Sequence, residues 1–264
     1  MKTKLLALLS GVISLGAVGT ASAADMAVKA RPAPPPMVAI YNWSGFYIGA
    51  NGGGGWSHKC WDTFNDLGLA IVPFREGCHD ASGGTVGGQI GYRWQATNWV
   101  FGLEAQGNWA DFTGSNASLL FFDPTVFGSD LRNHSRIDAF GLFTGQIGYA
   151  WNNVLWYVKG GAAVTRDKYE GIDIPTGLVI DRATETRWGG VVGTGLEFGF
   201  APNWSLAIEY DHLFMGDRDI TLNATPVFGV GLSRGTTISQ DVDVVTARIN
   251  YRFGPVGGPV VARY

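Results

Sequence analysis

Along much of the chain, apolar and polar residues alternate one for one. The clearest case lies near the end. Val245, Ala247, Ile249, Tyr251 and Phe253 are apolar or aromatic, and Thr246, Arg248, Asn250 and Arg252 between them are polar. A period of two marks an extended strand with two unlike faces. Seven earlier stretches repeat the pattern, at about 43–56, 85–94, 99–110, 136–151, 154–166, 186–200 and 204–213. In the first, Phe46, Ile48 and Ala50 oppose Tyr47, Gly49 and Asn51. In the third, Leu103, Ala105 and Trp109 oppose Glu104, Gln106 and Asn108. The fourth is the least regular, with Phe143, Ile147 and Tyr149 set against Asp138, Thr144 and Gln146.

The spacing of these stretches carries the topology. Long polar segments at 58–83, 111–135, 167–185 and 214–237 alternate with short breaks at 95–98, 152–153 and 201–203. Four long connections at one end and three tight turns at the other predict an all-β fold. It is an eight-stranded antiparallel up-and-down transmembrane β-barrel with four long extracellular loops and three short periplasmic turns. In such a barrel the usual sense of a sheet is inverted, with the apolar face toward lipid and the polar face toward the interior.

Aromatic residues gather at the short-turn end of every strand. Asn42-Trp43, Asn98-Trp99 and Asn203-Trp204 open three strands as a weak repeat, and even-numbered strands finish on aromatic pairs. Amphipathic rings favour the headgroup level. Trp43, Trp99, Trp151, Trp156, Phe200, Trp204 and Phe253 are therefore expected to form a periplasmic girdle.

Composition agrees with a membrane-embedded sheet. Aromatic residues make up 13% of the chain, charged residues only 16%, and glycine accounts for 39 of 264; a soluble domain carries about 25% charge and about 7% glycine. The formal net charge of −3 gives no basic footprint for nucleic acid. Residues 1–23 read as a signal peptide: Lys2 and Lys4, an apolar run, then Ala21-Ser22-Ala23. Residues 24–41, with three consecutive prolines, read as a periplasmic linker. The barrel is expected to occupy 42–254, followed by a C-terminal extension at 255–264.

Inward-facing polar residues are the candidate site. Gln89, Glu104, Gln146, Lys159, Glu197, Glu209 and Arg248 should lie near one depth, where an eight-stranded barrel is just wide enough to be filled by side chains. Opposite charges there should pair, because an isolated buried ion is costly. The expected result is a plugged lumen, which Glu104→Ala or Arg248→Ala should make more conductive. A gated ion path, or a narrow porin for small solutes, is the alternative.

Cys60 and Cys78, in an exported chain, are expected to form a disulfide. A metal set of His58, Cys60, Cys78 and His79 fits no standard zinc spacing. His212 beside Asp211 lacks the local serine that a lipid hydrolase needs, and there is no G-x-G-x-x-G nucleotide motif. No catalytic residue, cofactor or metal is expected.

The opening Trp43-Ser44-Gly45-Phe46-Tyr47-Ile48-Gly49 after a proline-rich tether, with Asn250-Tyr251-Arg252-Phe253 near the end, resembles a known family. These are the small outer-membrane immunogenic, porin-like β-barrel proteins of alphaproteobacteria, relatives of opacity-type surface proteins. The resemblance implies a bacterial outer-membrane location, export through the leader, and a role in envelope integrity and as surface antigen. A loop-borne adhesin or haem-binding protein is a further alternative. The implied partners are outer-membrane lipid and lipopolysaccharide, a second copy of the chain in a homo-oligomer, and the barrel-insertion machinery. That machinery would read Ile249, Tyr251 and Phe253 in the last strand, although the chain runs on to Tyr264.

Overall fold

A computed structural model of the chain describes residues 41–66, 68–119, 131–226 and 232–254. The expected leader, nearly all of the linker and the C-terminal extension lie outside the described residues. Eight strands close into a barrel in sequence order. They are β1 (Gly45–Asp66), β2 (Leu69–Ala96), β3 (Trp99–Ala117), β4 (Leu131–Trp151), β5 (Val154–Asp173), β6 (Val179–Ala201), β7 (Trp204–Ala224) and β8 (Ser233–Phe253). All neighbours are antiparallel, and β1 pairs with β8 from Phe46↔Phe253 upward to close the ring.

The three tight turns fall at 97–98, 152–153 and 202–203. In the first two, Thr97 and Asn152 take left-handed backbone, with φ of 56° and 57°, as the first central residue of a primed hairpin turn does; Pro202 opens the third with negative φ. The second residue of each turn is asparagine. Asn98 and Asn153 donate side-chain bonds to Ala150 O and Gly199 O on the neighbouring strand end, and Asn203 O accepts from Arg252 N. The repeated asparagine thus ties each turn to the next hairpin.

At the other end the strands are far longer than the alternation indicated. Most of the segments assigned to long loops are strand: β1 and β2 continue in register from Trp56↔Ser82 through Cys60↔Cys78 to Asp66↔Leu69, with two irregularities. On β1 the exposed apolar band runs only from Phe46 to Trp56. At about 3.3 Å per residue and a tilt of about 40°, that band is roughly 25 Å tall, the height of a hydrocarbon core. Beyond it every strand rises into a sheet collar.

The collar has the opposite polarity, which is why it reads as loop. Arg136, Arg166, Lys168 and Glu170 face outward, while Trp61, Ile137, Tyr169, Ile220, Leu222 and Ile238 are buried inside. A β-bulge between Ile137 and Ala139 shifts the phase of β4. It explains the irregular fourth stretch and corrects the placement of Asp138. That residue lies at the bulge and pairs with the outer-face Arg136 and Lys168 at 3.0 and 2.6 Å.

Within the band the alternation is as expected. Trp99, Trp151, Trp156, Phe200, Trp204 and Phe253 are exposed at the short-turn end. Trp43 is the correction: it precedes β1 and is 1% exposed. It packs with Tyr41, Val100, Ala150, Leu155 and Tyr157, so it belongs to the floor of the interior and not to a girdle. Trp56, Trp109 and Trp188 mark a second level of exposed rings at the top of the band.

Candidate functional site

The barrel interior is built in tiers. Above the Trp43 floor, Glu104 on β3, Lys159 on β5, Glu209 on β7 and Arg248 on β8 converge, each buried. Arg248 bridges the two glutamates, reaching Glu104 Oε2 at 2.5 Å with one nitrogen and pairing with Glu209 through the other. Lys159 Nζ lies 2.7 Å from Glu209 and 3.1 Å from Asp211. Two tyrosines complete the glutamates: Tyr47 Oη donates to Glu104 and Tyr157 Oη to Glu209, both at 2.6 Å.

Those two halves are alike. Tyr47 and Tyr157 sit on β1 and β5, their rings lie across Gly91 on β2 and Gly195 on β6, and the glutamates follow on β3 and β7. A Cβ at either glycine would collide with the ring, so these glycines are the space the tyrosines occupy. The repeat diverges on the fourth strand, where Gln146 Nε2 donates to Tyr47 Oη at 3.0 Å and Arg248 lies 3.3 Å from Tyr157 Oη.

Beside this cluster, Arg93 pairs with Glu197 at 2.8 Å and donates to Gln146 Oε1 at 3.2 Å. Gln89 Nε2 donates to Asn250 Oδ1 at 2.7 Å, and Asn250 donates to Glu197. All seven residues singled out from the sequence thus lie in one buried network. Tyr47, Arg93, Tyr157 and Asp211 belong to it as well; their inward parity was the available signal.

What sequence reasoning missed is the layer above. Phe112, Ile137, Phe140, Leu142, Leu213, Met215, Val242 and Val244 form a buried apolar cluster across the interior. The Phe112 ring takes the space left by Gly55. Higher still, Lys59 and Asp167 pair at 3.2 Å, and Trp61, Tyr169, Ile220, Leu222 and Ile238 make a second apolar cluster. Arg234 then joins Glu76 and Asp181 at 2.8 and 2.9 Å. Burial works against the Glu76 charge, but the Arg234 guanidinium and three hydrogen bonds outweigh it and hold the carboxyl below its usual range.

On the outer face of the collar, Cys60 and Cys78 form a disulfide. His58 and Asp80 sit beside it in direct register. His79 points the other way: it is buried, with Nδ1 2.8 Å from Asn116 Oδ1 and Nε2 2.7 Å from Ser135 Oγ. The four-ligand metal set considered from the sequence is therefore not brought together. His212 bonds Asp243 at 2.7 Å and not its neighbour Asp211, which faces inward.

The family model of the outer membrane protein β-barrel domain matches residues 12–253. The chain belongs to this family. It is an outer-membrane β-barrel of the bacterial envelope. A 31 kDa outer-membrane immunogenic protein of Brucella melitensis biotype 1 is 28% identical over 228 residues, 83% of this chain and 90% of the relative. The protein of the same name from Brucella suis biovar 1 matches equally. Among solved structures, OprG of Pseudomonas aeruginosa is similar at 14% identity and a TM-score of 0.48, covering 81% of this chain and 99% of its own. OmpT protease of Escherichia coli is similar at 10% identity and 0.49, covering 79% and 97%.

His79 gives this barrel a pH response outside the membrane. Burial pulls its imidazole down to about 4, against about 6.5 for an unfolded chain. Between those values the unfolded chain binds the extra proton, so stability present above pH 6.5 is lost as pH falls toward 4. The expected loss is at most about 3 kcal/mol. Urea unfolding of the folded protein across this range should show that slope, and His79→Gln should flatten it. An unchanged slope in the variant would count against His79 as its source.

Proposed function

We propose that this protein is a structural barrel of the outer membrane. Its interior is plugged, and its collar is displayed at the cell surface as an antigen. The observation that carries the reading is the stack of ionic and apolar tiers in series, with the Phe112–Val244 cluster directly above the Arg248 network. A salt-bridged network alone is a polar path once one partner is removed. A close-packed apolar layer excludes water whatever lies beneath it. The Brucella relatives, outer-membrane immunogenic proteins by name, support the antigen role. Lipid and lipopolysaccharide contact the band between the two levels of exposed rings, and the insertion machinery reads Ile249, Tyr251 and Phe253.

Planar-bilayer recording of the refolded full chain tests this. The expected record shows no discrete conductance steps; steady steps in every active bilayer would establish the porin reading instead. The apolar layer also changes the expectation for the ionic tier. Glu104→Ala should remain non-conducting, whereas adding Phe112→Ala and Phe140→Ala should open a path. A rise in conductance for Glu104→Ala alone would show that the charges were the only barrier.

A further inference from the structure

The disulfide has unusual company. His58 and Cys60 on β1 face Asp80 and Cys78 on β2 in direct register, His58↔Asp80 and Cys60↔Cys78. Alternation puts all four side chains on the outer face, just above Trp56 and the apolar band. His58 Nδ1 lies 2.7 Å from Asp80 Oδ1, and His58 Nε2 lies 3.6 Å from Cys60 Sγ. A carboxylate, an imidazole and a sulfur stand in line, with the imidazole held by one nitrogen so that the other meets the sulfur. This is the order in which an acid–base pair serves a sulfur nucleophile or leaving group. A purely structural cross-strand disulfide needs neither His58 nor Asp80.

We propose that Asp80, His58 and the Cys60–Cys78 disulfide form a thiol-exchange site at the outer surface, and that its substrate is a small thiol. The thiolate attacks the Sγ of Cys78, the more exposed of the two cysteines, along the S–S axis. A bond forms between the incoming sulfur and Cys78, and the bond between Cys78 and Cys60 breaks. Cys60 leaves with the electron pair as a thiolate, and protonated His58 gives it the Nε2 proton. The products are a mixed disulfide on Cys78 and a thiol on Cys60. Electrons balance without another oxidant, since the incoming thiol is oxidised as Cys60 is reduced. The reverse attack by Cys60 expels the small thiol and restores the starting state. Exchange rates depend on the leaving sulfur as well as the attacking one, so the direction follows from which sulfur His58 touches.

The charged groups facing His58 come from both flanking strands. Asp80 stands opposite it on β2 and Asp241 on β8, and Lys59 next to it points into the barrel. Two carboxylates flank the ring on its own face, and no cation joins them from the paired positions.

The test uses the folded full-length chain in detergent, with reduced glutathione as the probe, an acid quench and maleimide capping. Peptide mass mapping should place glutathione on Cys78 and maleimide on Cys60. This readout needs no variant, and glutathione found on Cys60, or equally on both, would overturn the proposal. His58→Gln, checked for folding by heat-modifiable gel mobility, should slow exchange at least about tenfold and blur the preference for Cys78. Asp80→Asn should show a weaker form of the same defect. A rate and a Cys78 preference for His58→Gln that match the unaltered protein would also overturn it.

Discussion

Replacing Arg248 with alanine is expected to destabilise the folded barrel by about 3–5 kcal/mol, the usual cost of removing one partner from a buried ionic cluster. Arg248 holds Glu104 and Glu209 together from β8. Without it the two carboxylates share Lys159, which also contacts Asp211. Three acidic groups around one ammonium is a poor arrangement in a site with little water. The cost should fall sharply when the charges are removed together. Arg248→Met combined with Glu104→Gln and Glu209→Gln leaves Lys159 its Asp211 partner and should recover most of the loss. Urea-induced unfolding from lipid vesicles measures both. A penalty below about 1 kcal/mol for Arg248→Ala would mean the cluster is solvated rather than buried.

The second large effect is expected on the opposite face. Ile208 is 67% exposed and lies in register between Leu196 on β6 and Ala247 on β8. It stands partway up the apolar band, two alternations above Trp204. Ile208→Arg should cost about 2–4 kcal/mol in a bilayer, as a cation at the lipid midplane does. Thr221→Arg, at an exposed position on the collar of the same strand, should cost no more than about 0.5 kcal/mol. Equal costs for the two would show that the same solvent bathes both levels.

That contrast also explains what was legible in the sequence. Within the apolar band a strand meets lipid on one side and a polar interior on the other, so alternation is sharp. Thr246-Ala247-Arg248-Ile249 announces both the strand and the inward charges. Asn98, Asn153 and Asn203 mark the turns because each has a bond to make across the next hairpin. Above the band the outside is water and the inside is partly apolar. In Leu213 and Val242-Asp243-Val244-Val245 the pattern passes through a stretch where either face carries apolar residues. Periodicity fades there, and polar content alone suggests loop.

The misses at the site have the same origin. Phe112, Ile137 and Met215 fall in or beside segments that read as loop, so their inward facing could not be inferred from parity. The bulge at Asp138 shifts parity by one, which no single-sequence pattern reveals. Trp43 was grouped with the other strand-end aromatics because its neighbour Asn42 copies the turn motif. It precedes the first paired residue and has no strand to hold it outward. The residues that parity did place, from Gln89 to Arg248, are those the barrel brings within hydrogen-bonding reach.

The extension of the strands past the apolar band has a consequence for anything that recognises this cell from outside. A surface of long pliant loops offers linear peptides that an antibody could bind equally well on the denatured chain. A rigid pleated wall offers side chains drawn from several strands at once, such as Arg136 of β4 beside Asp111 of β3 and Asp138. If the collar is displayed as proposed, antibodies raised against the folded chain should recognise shapes, and their binding should be lost once the chain is boiled.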